Sequence, residues 1–395
     1  KVTASAANNV TAGGFTLTSA LTLSASDYSY DSTTNILTIT SGKSVSISTT
    51  AATSDKIVVD SSAGAAITLN GAYIATSDGA ALEIKSGTGD VTITLAGSNI
   101  LQSNWTADDT VTGYAGLQKD TETGKLTIQS DSTGTGSLTA IGCGDGAGIG
   151  AGNNQASVEN ISINSGVIYA ACSDVTIKDS NGKITAELPA TGTGIGGSNN
   201  ASKLTISGGT VYAKGLTYAI GGNVGGSSSG ISIEGASVFT GHLNDSDTIL
   251  FTDLIGAQPV NKDDTPVYLV SLEIPGITSN VKLTSLKYKL NGGTQDIEYV
   301  TEGNEPQTQV PTLANDTSKL YKLGVYLPDG ATVVSAQFSD DNTRIYYPEP
   351  GTTITAASDN AGTGTLRFTN SVIYNLNGGT AAGLPSWYDP SSETT

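Results

Sequence analysis

The chain has 395 residues, of which 37% are hydrophobic and 14% charged, with a net charge of −18 and a pI of about 4.2. An acidic surface repels phosphate backbones, which argues against a nucleic-acid partner, and no stretch approaches the ~18 apolar residues of a membrane span, which argues against insertion. The 49 glycines follow no three-residue period, which excludes collagen, and so low a share of charge argues against disorder.

In chain order, the first signal is short alternation of aliphatic residues with Ser, Thr and Asn, the period-two pattern of strands. A ten-residue unit then recurs: ITLNGAYIAT from Ile67, ISINSGVIYA from Ile161, LTISGGTVYA from Leu204 and ISIEGASVFT from Ile231. Looser copies begin near Leu37, Val91, Leu126 and Val175. Positions one, three and eight are aliphatic and positions four to six suit a tight bend. A third element recurs between copies, as Gly148-Ile-Gly150, Gly194-Ile-Gly196 and Ala219-Ile-Gly221. Three short strands with turns make one coil, and stacked coils bury a continuous aliphatic core that no coil could bury alone. The fold class is all-β: a parallel β-helix (solenoid) over residues 1–257. The copy from Ile161 reads as abbreviated, with Val175 opening the next rung.

Proline marks the second part. Pro189 alone precedes residue 258, and the other ten prolines follow; proline deletes a ladder hydrogen bond, so a sheet-rich repeat excludes it. Residues 258–370 alternate as a C-terminal β-sandwich-like domain, entered through Gln258–Pro266.

Side-chain alternation turns position eight to the core and position nine outward. Position nine holds Ala75, Tyr169, Tyr212 and Phe239, with Thr185 on an intervening rung. Two rungs part Tyr169 from Tyr212 by ~9–10 Å, close to the two-sugar repeat of an extended β-linked glycan, so the rings form a stacking ladder for sugar. The alternative is that each ring covers a neighbouring rung. An insertion from Gln102 to Asp120 holds Trp105, Asp108, Asp109 and Tyr114. Aromatic rings beside carboxylates suit a calcium-assisted glycan site, with Asp108 and Asp109 as the metal ligands; alternatively Trp105 caps the core.

Cys143 and Cys172 fall on strands that look adjacent, within reach of a disulfide; buried free thiols are the alternative. His242 is the only histidine, so a histidine metal cluster is excluded. A polysaccharide lyase or hydrolase is weighed and disfavoured: residues 1–343 lack arginine, and Asp108-Asp109 and Gly241-His242 are isolated fragments of such sites. Ice binding would need a flat threonine grid, of which Thr16-Leu-Thr18, Thr38-Ile-Thr40 and Thr92-Ile-Thr94 supply only pieces. Neither an export signal nor a methionine is present, so the chain is read as a piece of a larger exported protein.

The GxGIGxxxN…ITISGGxVxA pattern resembles the right-handed β-helix repeats of large Gram-positive surface proteins. Tyr374-Asn-Leu-Asn-Gly-Gly-Thr380 resembles the opening of a Listeria–Bacteroides (internalin B-type) repeat, truncated over 371–395, and Tyr288-Lys-Leu-Asn-Gly-Gly-Thr294 echoes it; either can equally be a hairpin turn. The resemblance implies a right-handed coil and an extracellular, secreted or cell-surface, adhesin-like role. The expected function is non-catalytic binding of a glycan or a host or cell-wall polysaccharide, with a structural stalk as the alternative.

Overall fold

The structure, a computed structural model, describes residues 7–76, 78–105, 113–119, 124–152, 157–178, 184–223, 226–243, 254–275, 281–298, 309–310, 320–338, 344–358 and 362–368. Its regular structure is β-strand throughout, and no helix occurs among the described residues.

From Ala65 to His242 the chain visits three sheets in fixed rotation. Ala65–Asn70 joins a nine-stranded sheet, Tyr73–Ala75 a seven-stranded sheet and Leu82–Ile84 an eight-stranded sheet; Val91–Ala96 then returns to the first, beside Ala65–Asn70. The rotation continues to Ser237–His242, and along each sheet successive passes pair in parallel. Inward side chains therefore stack on their own kind. Ile67, Ile93, Ile128, Ile163, Ile206 and Ile233 form one buried column, and Leu82, Leu117, Ile149, Ile195 and Ile220 another. Each such side chain contributes roughly 1.5–3 kcal/mol when fully buried, and it is buried only because the neighbouring passes cover it. Asn99 sits inward at a bend, where its Oδ1 accepts from Ala72 N and its Nδ2 donates to Ser137 O, tying three passes together.

Three expectations are corrected by the register. First, Ile161 aligns with Leu126, Val91 and Ala65, not with Ile67, so the copy from Ile67 is slipped by two residues against the later ones. A two-residue slip keeps every side chain on its own face, and the apolar pattern cannot detect it. Second, Val175–Lys178 opens no rung. It pairs antiparallel with Ile184–Leu188 as a side hairpin, and the pass after Ser157–Ile163 is Asn200–Ile206. Third, Leu37 lies in the eight-stranded sheet, opposite Ile57, and not on the nine-stranded sheet of the other copies.

Glycine is required where passes meet most closely. Gly150, Gly196 and Gly221 follow one another in the eight-stranded sheet with φ of 135°, 143° and 129°. A Cβ on Gly150 would lie 1.9 Å from Gly196 O, and one on Gly196 the same distance from Gly221 O.

Both ends of the parallel stack are covered. At the start, Phe15–Leu23 runs antiparallel to Ser44–Thr49, and Tyr28–Asp31 antiparallel to Ile36–Ile39. At the far end, Ile255 bridges Ile220 and Val260 bridges Ser232, so part of 254–266 extends the stack. Val267–Pro275 then enters a C-terminal sheet, whose Leu320–Pro328 lies against Ser237–His242. Gly324 N donates to Ser237 Oγ at 3.2 Å.

The C-terminal unit was expected to be sandwich-like. It is one continuous sheet curled around its own core, because Gly362–Phe368 pairs with Val267–Pro275 along its first half and Tyr346–Pro348 along its second. At Tyr288–Thr294 the structure has a turn: Asn291 and Gly292 both take positive φ, and Gly293 N donates to Leu290 O at 2.7 Å. That is the two-residue geometry that Asn-Gly favours. Residues 371–395 lie outside the described residues.

Candidate functional site

The outward face of the seven-stranded sheet carries the sequence-predicted aromatics. In register, one outward column reads Tyr73, Ile100, Thr139, Tyr169, Tyr212 and Phe239. Tyr73 takes the place assigned to Ala75; the two-residue slip, which leaves the apolar pattern unchanged, hid it. Thr185 is absent from the column, since Ile184–Leu188 belongs to the side hairpin.

The spacing is also corrected. Tyr169 and Tyr212 are adjacent, with ring centroids 4.5 Å apart and planes within 5°. Tyr212 and Phe239 follow at 5.1 Å and 12°. These separations match the ~4.8 Å spacing of neighbouring strands, so the rings stack along the pile of passes with their planes across it. Exposure falls along the column: Tyr73 is 40% exposed, Tyr169 39%, Tyr212 6% and Phe239 2%. Tyr212 is sandwiched between two rings. Phe239 lies under the C-terminal sheet, where a Cβ on Gly324 would come within 3.5 Å of its ring. The expected exposed three-ring platform is thus reduced to Tyr169, and Tyr212 and Phe239 are packing residues. Burial raises the phenol pKa of both tyrosines, far more at Tyr212.

A second feature lies beside this face. The short strands that belong to no pass all leave the chain between the seven-stranded and the eight-stranded sheets. They are Asp78–Gly79, Asn104–Trp105, Gly113–Tyr114 and the hairpin Val175–Lys178 with Ile184–Leu188. Asp78–Gly79 pairs with Asn104–Trp105, which in turn lies next to Gly113–Tyr114 and Val175–Lys178. The excursions therefore build a wall along one corner, the place on a rigid scaffold where function concentrates. Trp105 is in register with Asp78 and the half-buried Tyr114 with Cys143. Asp108 and Asp109 lie outside the described residues. Among the described residues, no three His, Cys, Asp or Glu side chains cluster as metal ligands would.

Of the two readings of the cysteine pair, the structure has the buried free thiols. Cys143 is in register with Ser173, and Cys172 with Gly142, a one-residue offset that puts the two side chains on opposite faces of the sheet. Cys143 Sγ accepts from Tyr114 N at 3.4 Å. Burial pushes the Cys172 thiol up to about 12 and raises that of Cys143. His242 is exposed, with Nδ1 3.1 Å from Leu216 O. Thr92 and Thr94 belong to the nine-stranded sheet and Thr38 to the eight-stranded one, so the Thr-x-Thr units are divided between two faces.

Comparison with protein-family models, with curated proteins and with solved structures gives no match.

Proposed function

We propose that the three sheets are the faces of one right-handed parallel β-helix, and that this helix binds carbohydrate without catalysis through the outward face of its seven-stranded sheet. Rotation of the chain through three parallel sheets supports the coil. The resemblance to Gram-positive β-helix repeats supports the hand and an extracellular, adhesin-like setting within a larger surface protein, with a Listeria–Bacteroides-type repeat over 371–395.

The observation that carries the binding proposal is the pair of exposed tyrosines, Tyr73 and Tyr169, in a column free of charge beside the wall of excursions. Rigid strands hold both rings, so little ordering cost opposes stacking on a sugar. Trp105 and Tyr114 belong to the excursions and are the proposed secondary contacts. Asp108 and Asp109 are the proposed calcium ligands.

A glycan array probed with wild type and a Tyr73→Ala/Tyr169→Ala double variant, with and without chelator, tests this. Selective binding that the double variant loses is the expected outcome, and a further loss with chelator would assign calcium. Silence across plant, mucin and cell-wall glycans would sink the proposal. A structural stalk is the second reading; it is favoured by the use of Tyr212 and Phe239 in internal packing.

A further inference from the structure

We infer that the site takes a single neutral pyranose ring, held edge-on in a notch over Thr139 with its face on Tyr169; this rests on the glycan-binding reading. Tyr169, Tyr212 and Phe239 stack with one ring per pass. The next pass continues the column with Thr139 and the one beyond with Ile100. A ring continuing the stack would lie over Thr139, whose side chain is too short to cover the free face of Tyr169. That face accounts for the exposure of Tyr169 where Tyr212, covered on both faces, has almost none.

The notch has the thickness of one ring. Ile100 and Tyr169 are two passes apart, ~9.6 Å at the usual strand spacing, which allows one flat group to touch both. The chemistry of the walls selects among flat groups. The face of a tyrosine ring carries negative charge density and attracts the polarised C–H bonds on one face of a pyranose. Ile100 offers an apolar wall to the opposite face. The Thr139 hydroxyl can both donate to and accept from a sugar hydroxyl at the floor. No charged side chain stands in the column, and the one lysine on this sheet's strands, Lys214, lies two passes from Thr139. In a chain of net charge −18 the notch therefore suits a neutral sugar and not a uronate. One ring's thickness also means that a terminal sugar is recognised, and not a run of sugars laid along the sheet.

Titration calorimetry with the methyl glycosides of neutral hexoses and N-acetylhexosamines, beside the oligosaccharides that wild type selects on the array, tests the notch. A methyl glycoside should bind within about threefold of the parent oligosaccharide, a difference under 1 kcal/mol. Thr139→Tyr fills the notch with a fourth ring and should weaken binding at least about tenfold while raising the melting temperature. Tyr169→Leu keeps Tyr212 covered but removes the ring, and should weaken binding to the same degree. Full affinity in a folded Thr139→Tyr or Tyr169→Leu protein, or a requirement for three or more sugars, would overturn the inference even though glycans bind. An array on which wild type binds nothing overturns the underlying reading instead.

Discussion

Replacing Gly196 by alanine should break the stack where its passes come closest. The residue has a φ of 143°, and an added Cβ would sit 1.9 Å from the carbonyl oxygen of Gly221. Both partners are backbone atoms held in paired strands, so neither can turn aside and the passes must part. The sparsely populated backbone conformation costs roughly 1–3 kcal/mol for a side chain, and forced overpacking adds roughly 1–3 kcal/mol. Gly71→Ala separates the two terms. Gly71 also has positive φ, 66°, but no heavy atom lies within 4 Å of its added Cβ, so only the backbone cost of roughly 1–2 kcal/mol applies. Urea unfolding of both variants, followed by far-ultraviolet circular dichroism, should place Gly196→Ala below Gly71→Ala by at least roughly 1 kcal/mol, the overpacking cost together with any extra backbone cost at φ 143°. Equal stabilities would refute the idea that close approach between passes makes glycine necessary there.

Two further outcomes are expected. Asp27 is buried, and its carboxyl is held far below the ordinary range chiefly by the Lys43 ammonium at 2.8 Å, with Ser24 assisting and burial opposing. A carboxylate so depressed stabilises fully above its unfolded pKa of about 3.9 and loses that contribution as pH falls further. Thermal melts of Lys43→Met should therefore lie below wild type at pH 7, with the gap beginning to narrow below about pH 4 as the unfolded carboxyl protonates; a gap that widened in acid would contradict the assignment. Cys143 and Cys172 should resist iodoacetamide at about pH 8 in the native protein, since burial keeps both thiols protonated. Both should react in urea, and an intact mass lacking two hydrogens would instead reveal a disulfide.

The aliphatic columns were legible in the sequence because burial leaves a local trace. Ile161, Ile163, Ile168, Leu204, Ile206 and Val211 alternate with polar residues and all are buried. What the sequence could not show is how one copy is set against the next. Register is fixed by backbone hydrogen bonds between residues far apart in the chain, and a slip of two leaves the pattern unchanged. The exchange of Tyr73 for Ala75 in the column came from this. The hairpin that begins at Val175 has the same alternation as a rung, so composition could not mark it as an excursion. Lys119 illegibly breaks the rule from the other side: it aligns with Ile84 in an inward position and is wholly buried. Burial of Phe239 depends on Gly324 and its strand, contributed from more than eighty residues away.

The corner that gathers the short off-sheet strands carries the largest changes of length between one pass and the next. Asn164 and Ser207, on consecutive passes, are 43 residues apart, whereas Asn200 and Ser227 are 27 apart. The longer circuit includes a complete hairpin, yet Ile206 returns to its place over Ile163. Sequence added there leaves the alignment of the next pass intact, so that edge can diverge while the core stays constant. For protein engineering it is a socket: a foreign loop grafted between Asp174 and Ala190 should be displayed without resetting the passes on either side.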